Sequence, residues 1–329
     1  MIAKRTNPFR GKWPGLSLAL LLGLIAYWLA SFHEATDALV VGIIFGMVVR
    51  TIMGDRPRFL PGLNLAPKLF IPLGVIFYGI NLKFDKLTQI SGMFWLQLLI
   101  GIVAIFLVAI FLGRLFRIRD QNSFLIATGT AICGASAIAI ATPVVGADSE
   151  DAGASLITIT VFGLFGMLLY PLALTYFSLT KTEYVVLCAT TLHMTGIVKT
   201  AAAVLGQSCL KLALSIKMAR TAMIIPIIGF LCWYFGRREG IKKKAVFLRI
   251  PWFMWVFVAV GLLTSFVTTL EPLVKTLRPW AGICFAIALT SIGLTVDLRK
   301  MLNVGGAPLL VGFACWLSAI GVFLLISCF

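Results

Sequence analysis

Apolar runs about as long as a bilayer is thick recur from Pro14 almost to the C-terminus, and the loops between them are short. A hydrocarbon core of about 30 Å needs roughly 20 apolar residues of helix to cross it. In lipid only helices and closed barrels satisfy their own backbone groups. The pattern therefore predicts an all-α polytopic membrane protein with about eleven transmembrane helices. The predicted spans are 14–32, 37–53, 67–82, 93–113, 123–143, 154–177, 184–206, 212–236, 252–270, 279–297 and 307–327. Composition agrees, with 60% hydrophobic and 12% charged residues, far outside the range of soluble domains. No A-x-A cleavage pattern follows the first run, so it is expected to be a retained span rather than a signal peptide.

The net charge of +16 does not read as a nucleic-acid patch, because the basic residues lie in short clusters between apolar runs. With the N-terminus placed in the cytoplasm, twenty of the 28 basic residues fall in cytoplasmic segments and five on the opposite side. This bias is the positive-inside signature of a multi-pass membrane protein. The same placement puts Arg119 and Lys181 inside and the acidic loop Asp148-Ser149-Glu150-Asp151 outside. An odd number of spans then leaves the C-terminus outside. The seven cysteines show no C-x-x-C pair, and His33 and His193 are too far apart for a metal site.

One stretch stands apart. Residues 127–143 are apolar yet built almost wholly from small residues, with Gly129, Gly134 and Pro143 opposing helix and Thr128, Thr130 and Ser136 bringing hydroxyls to membrane depth. Unwound backbone survives in a bilayer only where protein buries it or a cavity hydrates it. A discontinuous helix that builds a substrate site near the midplane has this composition, and so does close helix–helix packing. The tenth span repeats the pattern with Thr290, Ser291, Gly293 and Thr295. Two such segments, five spans apart, predict two inverted five-helix repeats with broken crossing helices (37–177 and 184–327) plus one extra N-terminal helix (14–32). A competing alignment pairs Gly79-Ile-Asn-Leu-Lys-Phe-Asp-Lys with Gly293-Leu-Thr-Val-Asp-Leu-Arg-Lys. The whole of 1–329 is expected to form a single transmembrane domain.

Three basic residues, Lys199, Lys217 and Arg220, fall inside predicted spans, whereas every acidic residue can be placed in a loop or at a span end. A charge at a helix centre costs roughly 2.5–3.5 kcal/mol on the insertion scale, so it needs a partner or a wet cavity. Without a buried carboxylate, backbone carbonyls or an anionic ligand are the remaining partners. Lys217 and Arg220 lie within two turns of a span end, so snorkelling is the competing explanation. Lys199 sits in another small-residue stretch and is expected to line a cavity. His193 is expected to be a hydrogen-bonded packing residue.

These residues resemble a known family, the YeiH-like bacterial inner-membrane proteins of the sulfate exporter group. Gly129-Thr-Ala-Ile-Cys-Gly-Ala-Ser-Ala-Ile-Ala is similar to that family's signature helix. Lys217-Met-Ala-Arg-Thr-Ala-Met-Ile-Ile-Pro226 resembles its K-x-x-R…P segment. Further likeness runs through Ile250-Pro-Trp-Phe, Ala288 to Lys300 and Gly306-Ala-Pro-Leu-Leu. In the seventh span, where the family tends to carry a His followed by an acid, this chain has His193 followed by Met194, with Lys199 downstream. The resemblance implies an inverted-repeat transporter fold with crossed broken helices.

The expected function is a secondary transporter that moves a small anion (sulfate, sulfite, or an organic sulfonate or carboxylate) by alternating access. Alternatives are an anion channel or a cation-coupled symporter of an organic solute. The residues expected to bind substrate are Thr130, Cys133, Gly134, Ser136, His193, Lys199, Arg220, Thr290, Ser291 and Gly293. No metal or cofactor is expected, and the coupling ion, Na+ or H+, stays open. An enzyme is not expected, since no H-E-x-x-H, G-x-S-x-G or Walker loop is present. The partners are the anionic substrate and the lipid bilayer, with no nucleic acid; a homodimer is the assembly considered.

Overall fold

The computed structural model describes residues 11–32, 38–54, 56–81, 92–177, 179–238, 251–267, 271–296 and 306–327. Lys83, Lys86, His33, the basic run 242–249 and the Asp297–Lys300 end of the tenth span lie outside them. The described residues are helical with no strand. In chain order the helices are α1 Trp13–Ala30, α2 Ala38–Met53, α3 Leu60–Leu63, α4 Ala66–Tyr78, α5 Gly92–Leu115, α6 Asp120–Ala131, α7 Ala135–Val145 and α8 Ser149–Tyr176. They continue as α9 Lys181–Thr191, α10 Thr195–Ala203, α11 Gln207–Ala222, α12 Ile224–Arg238, α13 Trp252–Phe266, α14 Glu271–Thr295 and α15 Ala307–Ser327. Among the described residues, seven helical stretches are long and apolar enough to cross a membrane, and α2, α7 and α13 are shorter apolar helices. The outward faces of α5, α8 and α15 expose Leu107, Leu168 and Leu325, as a lipid-facing surface does.

The helices form two groups. In the first, α1, α2 and α4 gather around α14, and α13 packs against α4. A Cβ added to Gly46 would lie 2.3 Å from the Thr290 carbonyl oxygen, and one on Gly293 would lie 2.3 Å from the Ile43 carbonyl oxygen. Neither glycine can be replaced without separating α2 from α14. Small residues of this kind let membrane helices meet backbone to backbone, where dispersion contacts are densest. Here the sequence expectation is corrected: α14 runs unbroken through 290–295, and the small residues serve packing instead of a break. The Ser291 hydroxyl donates to the Leu63 carbonyl at 2.8 Å.

The second group holds α5 to α12 and α15, and here the chain folds back on itself. Arg119, just before α6, pairs with Asp148 and Asp151 at the start of α8. Asn122 Nδ2 donates to the Asp151 carbonyl at 3.3 Å, and Ser155 Oγ donates to the Asn122 carbonyl at 3.4 Å. The segment between them leaves and returns at one end of the bundle. It is a re-entrant hairpin, α6 in and α7 back, with Gly129 packed on Ile138 between the arms. The turn is possible because Gly134 takes φ 76° and ψ −124°, a conformation that a Cβ opposes. The predicted fifth span is therefore not a crossing, and Arg119 and the acidic loop lie at the same end instead of opposite ends.

The predicted seventh span is also interrupted. Helix α9 is opened by a capping box between Thr180 and Glu183 and stops at Thr191; Leu192 and Met194 are extended, with ψ 140° and 145°. Helix α10 then turns tightly into α11 through Gly206 at φ 99°. Both α9 and α10 pack along α11. Since α10 and α11 are antiparallel neighbours and the end of α11 touches the 192–194 interruption, α9 and α10 are the arms of a second hairpin. Pro226 has no N–H to offer the Ala222 carbonyl, which explains the kink at Met223 where α11 passes into α12.

The hairpin bases lie at opposite ends of α8, a 28-residue helix about 42 Å long at 1.5 Å per residue. The two tips meet between them: a Cβ on Gly134 would lie 3.1 Å from the His193 carbonyl oxygen and 3.0 Å from Met194 Cγ. In a cysteine-depleted background, cysteines placed at exposed Arg117 and Glu150 are expected to react with an impermeant maleimide from the same side of the membrane. Labelling from opposite sides would restore the fifth span as a crossing.

Candidate functional site

Each hairpin brings one helix C-terminus and one helix N-terminus to the crossing. The last four carbonyls of a helix lack intrahelical partners and must find others. For α6 the accounting closes. Thr128 O accepts from Ile132 N and Gly129 O from Gly134 N. Arg220 takes the other two, donating from Nη2 to Thr130 O at 2.6 Å and from Nε to Ala131 O at 3.2 Å. The same guanidinium reaches α9, with Nη1 donating to Ala189 O at 2.8 Å and Leu192 O at 3.1 Å. One turn earlier on α11, Lys217 Nζ donates to Leu192 O at 2.9 Å and His193 O at 2.6 Å. Both cations are buried, at 2% and 1% exposure for Lys217 and Arg220. Snorkelling does not apply to either.

The negative ends of α6 and α9 are thus neutralised by fixed cations. The positive ends of α7 and α10 are not: their N-cap residues Gly134 and Met194 supply no side-chain cap. The other buried charged residue described, Asp151, is committed to Arg119 at the hairpin base. The crossing is consequently electropositive without a carboxylate to balance it.

Several polar side chains line this place. Cys133 Sγ and Ser136 Oγ are 2.9 Å apart. The Thr130 hydroxyl and both ring nitrogens of His193 are buried without a hydrogen-bond partner among the described residues. His193 is therefore not the hydrogen-bonded packing residue expected. From the first helix group the Tyr78 side chain approaches Ser136, Cys133 and Thr221. Of the residues singled out in the sequence, Thr130, Cys133, Gly134, Ser136, His193 and Arg220 converge here. Lys199 does not, because it projects from an exposed face of α10. Thr290, Ser291 and Gly293 also lie elsewhere, on α14 against α2 and α3. Lys217, read from the sequence as a charge inside a span but not as a substrate-binding residue, joins them, and Tyr78 and Thr221 are the additions. The spacing of Lys217 and Arg220, three residues apart on one helix face, was the signal available for Lys217.

A cavity of about 190 Å³ runs between α5, α9 and α15. It begins near Phe94, Thr182 and Glu183 and ends at Arg220 and Ala131, the tip of the first hairpin. At the base of that hairpin, burial alone would raise the Asp148 carboxyl, but the Asp151 amide and the Arg119 guanidinium hold it below its ordinary value. The contribution of Asp148 to stability is present above 3.8 and lost as pH falls through its lowered folded value.

Arg220→Ala would remove four hydrogen bonds at membrane depth and leave the Thr130, Ala131 and Ala189 carbonyls without the donor it supplies, Leu192 O keeping Lys217. Each unmet buried acceptor costs about 1–3 kcal/mol, so the variant is expected to lose most of its folded yield, or several kcal/mol in a reversible unfolding assay. A well-folded Arg220→Ala protein with unchanged melting temperature would refute the capping role.

The residues 14–312 match the family described as Conserved hypothetical protein 698. Similar chains are UPF0324 membrane proteins from Archaeoglobus fulgidus (33% identical, covering 93% of this chain and 89% of the relative), Bacillus cereus (31%, 93% and 89%) and Brucella melitensis (30%, 89% and 84%). No solved structure matches the chain. With its polytopic helical build and these relatives covering nearly its whole length, the chain belongs to the UPF0324 family of membrane proteins, to which the YeiH-like resemblance also points.

Proposed function

We propose that this protein is a secondary transporter that carries a small anion by alternating access, with the substrate held where the two hairpin tips cross. One observation carries the reading: the negative helix ends at the crossing are capped by Arg220 and Lys217 while the positive ends of α7 and α10 are left open. Such a centre favours a negative ligand, as half-helix N-termini do in transporters with broken helices. Thr130, Ser136, His193 and Tyr78 would contribute directional contacts.

The units 120–176 and 181–238 each consist of a hairpin followed by a long helix, entering from opposite ends. That supports an inverted relation between them, with boundaries narrower than the repeats read from sequence. Basic residues support a cytoplasmic N-terminus: Lys12, Arg50, Arg58, Arg114, Arg117 and Arg237 gather at one end, against Lys181, Lys211, Lys275 and Arg278 at the other. Lys181 thereby changes sides from its first placement, and the bias survives. Turning two spans into hairpins keeps the number of crossings odd, so the C-terminus stays opposite the N-terminus, in the inner membrane of a bacterial cell.

In proteoliposomes, uptake of the substrate anion is expected to saturate and to be accelerated by anion on the far side. Flux linear in concentration and indifferent to trans anion would replace this reading with a channel. Thr130→Val replaces an unpartnered buried hydroxyl with a methyl of similar shape. The variant is expected to match or exceed the wild-type melting temperature while its KM rises about tenfold, the loss of roughly 1.4 kcal/mol of binding. Unaltered KM would remove Thr130 from the site.

A further inference from the structure

The cavity that ends on Arg220 has an unusual division of labour between its floor and its walls. The guanidinium carries five N–H donors, and four hydrogen bonds to carbonyls are made, so one donor remains with the charge. The walls are mostly apolar, with Leu98, Ile102 and Ile105 from α5, Val186 from α9 and Val322 and Phe323 from α15, and Gln97 and Thr182 add polar side chains in the first turns of α5 and α9. Thr190 lines the wall too, but its hydroxyl proton is committed to its own helix, at 2.7 Å from Val186 O. Glu183 lies at the mouth with its carboxylate held by Thr180.

An inorganic oxyanion carries acceptor oxygens on every side, and burying those against methyl and phenyl groups costs free energy. An anion with one charged end and one apolar end matches the walls and the floor together. The volume sets the size of the apolar end. A dry apolar cavity of about 150 Å³ accepts benzene, so this one, at about 190 Å³, takes a ring or a short branched chain.

We propose that the transported ligand is an organic oxyanion, a sulfonate or carboxylate with a compact apolar body of about six carbons, whose body occupies this cavity and whose charged end faces Arg220. The proposal rests on the anion-transport reading above and names the substrate class of that site. It places the α5–α9–α15 cavity on the substrate's route and assigns sulfate the role of a poor ligand.

The test is a thermal-shift series on the full chain in lipid nanodiscs, with sulfate, methanesulfonate, benzenesulfonate, benzoate and benzyl alcohol as probes. Benzenesulfonate and benzoate at saturation are expected to raise the melting temperature by about 5 °C, with sulfate and benzyl alcohol giving no more than a small fraction of that. Gly101→Leu is expected to abolish the response, because Gly101 lines the cavity and an added Cβ there meets only Val322 Cγ1, at 3.8 Å. If that variant fails to fold, the wild-type series decides alone. Equal shifts by sulfate and benzenesulfonate would overturn the apolar-body proposal and leave the anion reading standing. Equal shifts by benzyl alcohol and benzenesulfonate would overturn it by showing an apolar site indifferent to charge. No shift by any anion would overturn both.

Discussion

Two cations on one helix face hold the centre of this protein together. A hairpin that turns inside a membrane exposes carbonyls where no water can reach them. Arg220 and Lys217 supply six hydrogen bonds to those carbonyls, and charge-assisted bonds of this kind are the strong ones. Arginine suits the position for its geometry. Its planar fork reaches two helix ends in different directions at once, which an ammonium on a flexible stem cannot do. The rest of the site follows: with the carbonyl ends satisfied, the tips can stay unwound, and with them unwound the N-terminal ends of α7 and α10 come together at the crossing.

The division into two helix groups gives that centre a frame. The α2–α14 pair is locked by backbone contact through Gly46 and Gly293, so it behaves as one rigid piece. Contact between the groups is sparser and runs mainly through α7 and α8 against α2, α4 and α14. Tyr78 at the end of α4 is the point where the first group reaches the hairpin tips. An interface of this kind, with a polar site at its edge and a thin apolar seam elsewhere, suits sliding of one body on the other.

The sequence made the class of fold legible, because apolar length and charge placement follow directly from the bilayer. It also made the first interruption legible, because Gly134 and its small, hydroxylated neighbours cannot be explained as an ordinary lipid-facing helix. Apolar length could not distinguish a hairpin from a crossing: α6 with α7 has enough residues for either, and the distinction rests on Arg119 meeting Asp148 and Asp151, 29 residues or more away. The second interruption carried no glycine. The interruption at 192–194 is held by tertiary bonds from Lys217 and Arg220 to Leu192 O and His193 O, and no local propensity announces that. Conversely, Thr290, Ser291 and Gly293 looked like a break and are packing, since small residues serve both purposes.

The placement of Arg220 has a kinematic consequence. One guanidinium is bonded to the tip of each hairpin, so the tips form a single mechanical unit whose members cannot separate without leaving carbonyls bare. A gate that opens by lifting one tip away from the other would break two of these bonds at every cycle. Displacement of the joined pair as a block breaks none of them. Under the proposed transport reading, the inward and outward states would differ in where the block sits against α2, α4 and α14, with Met223, three residues beyond the cation that ties the block together, as the pivot.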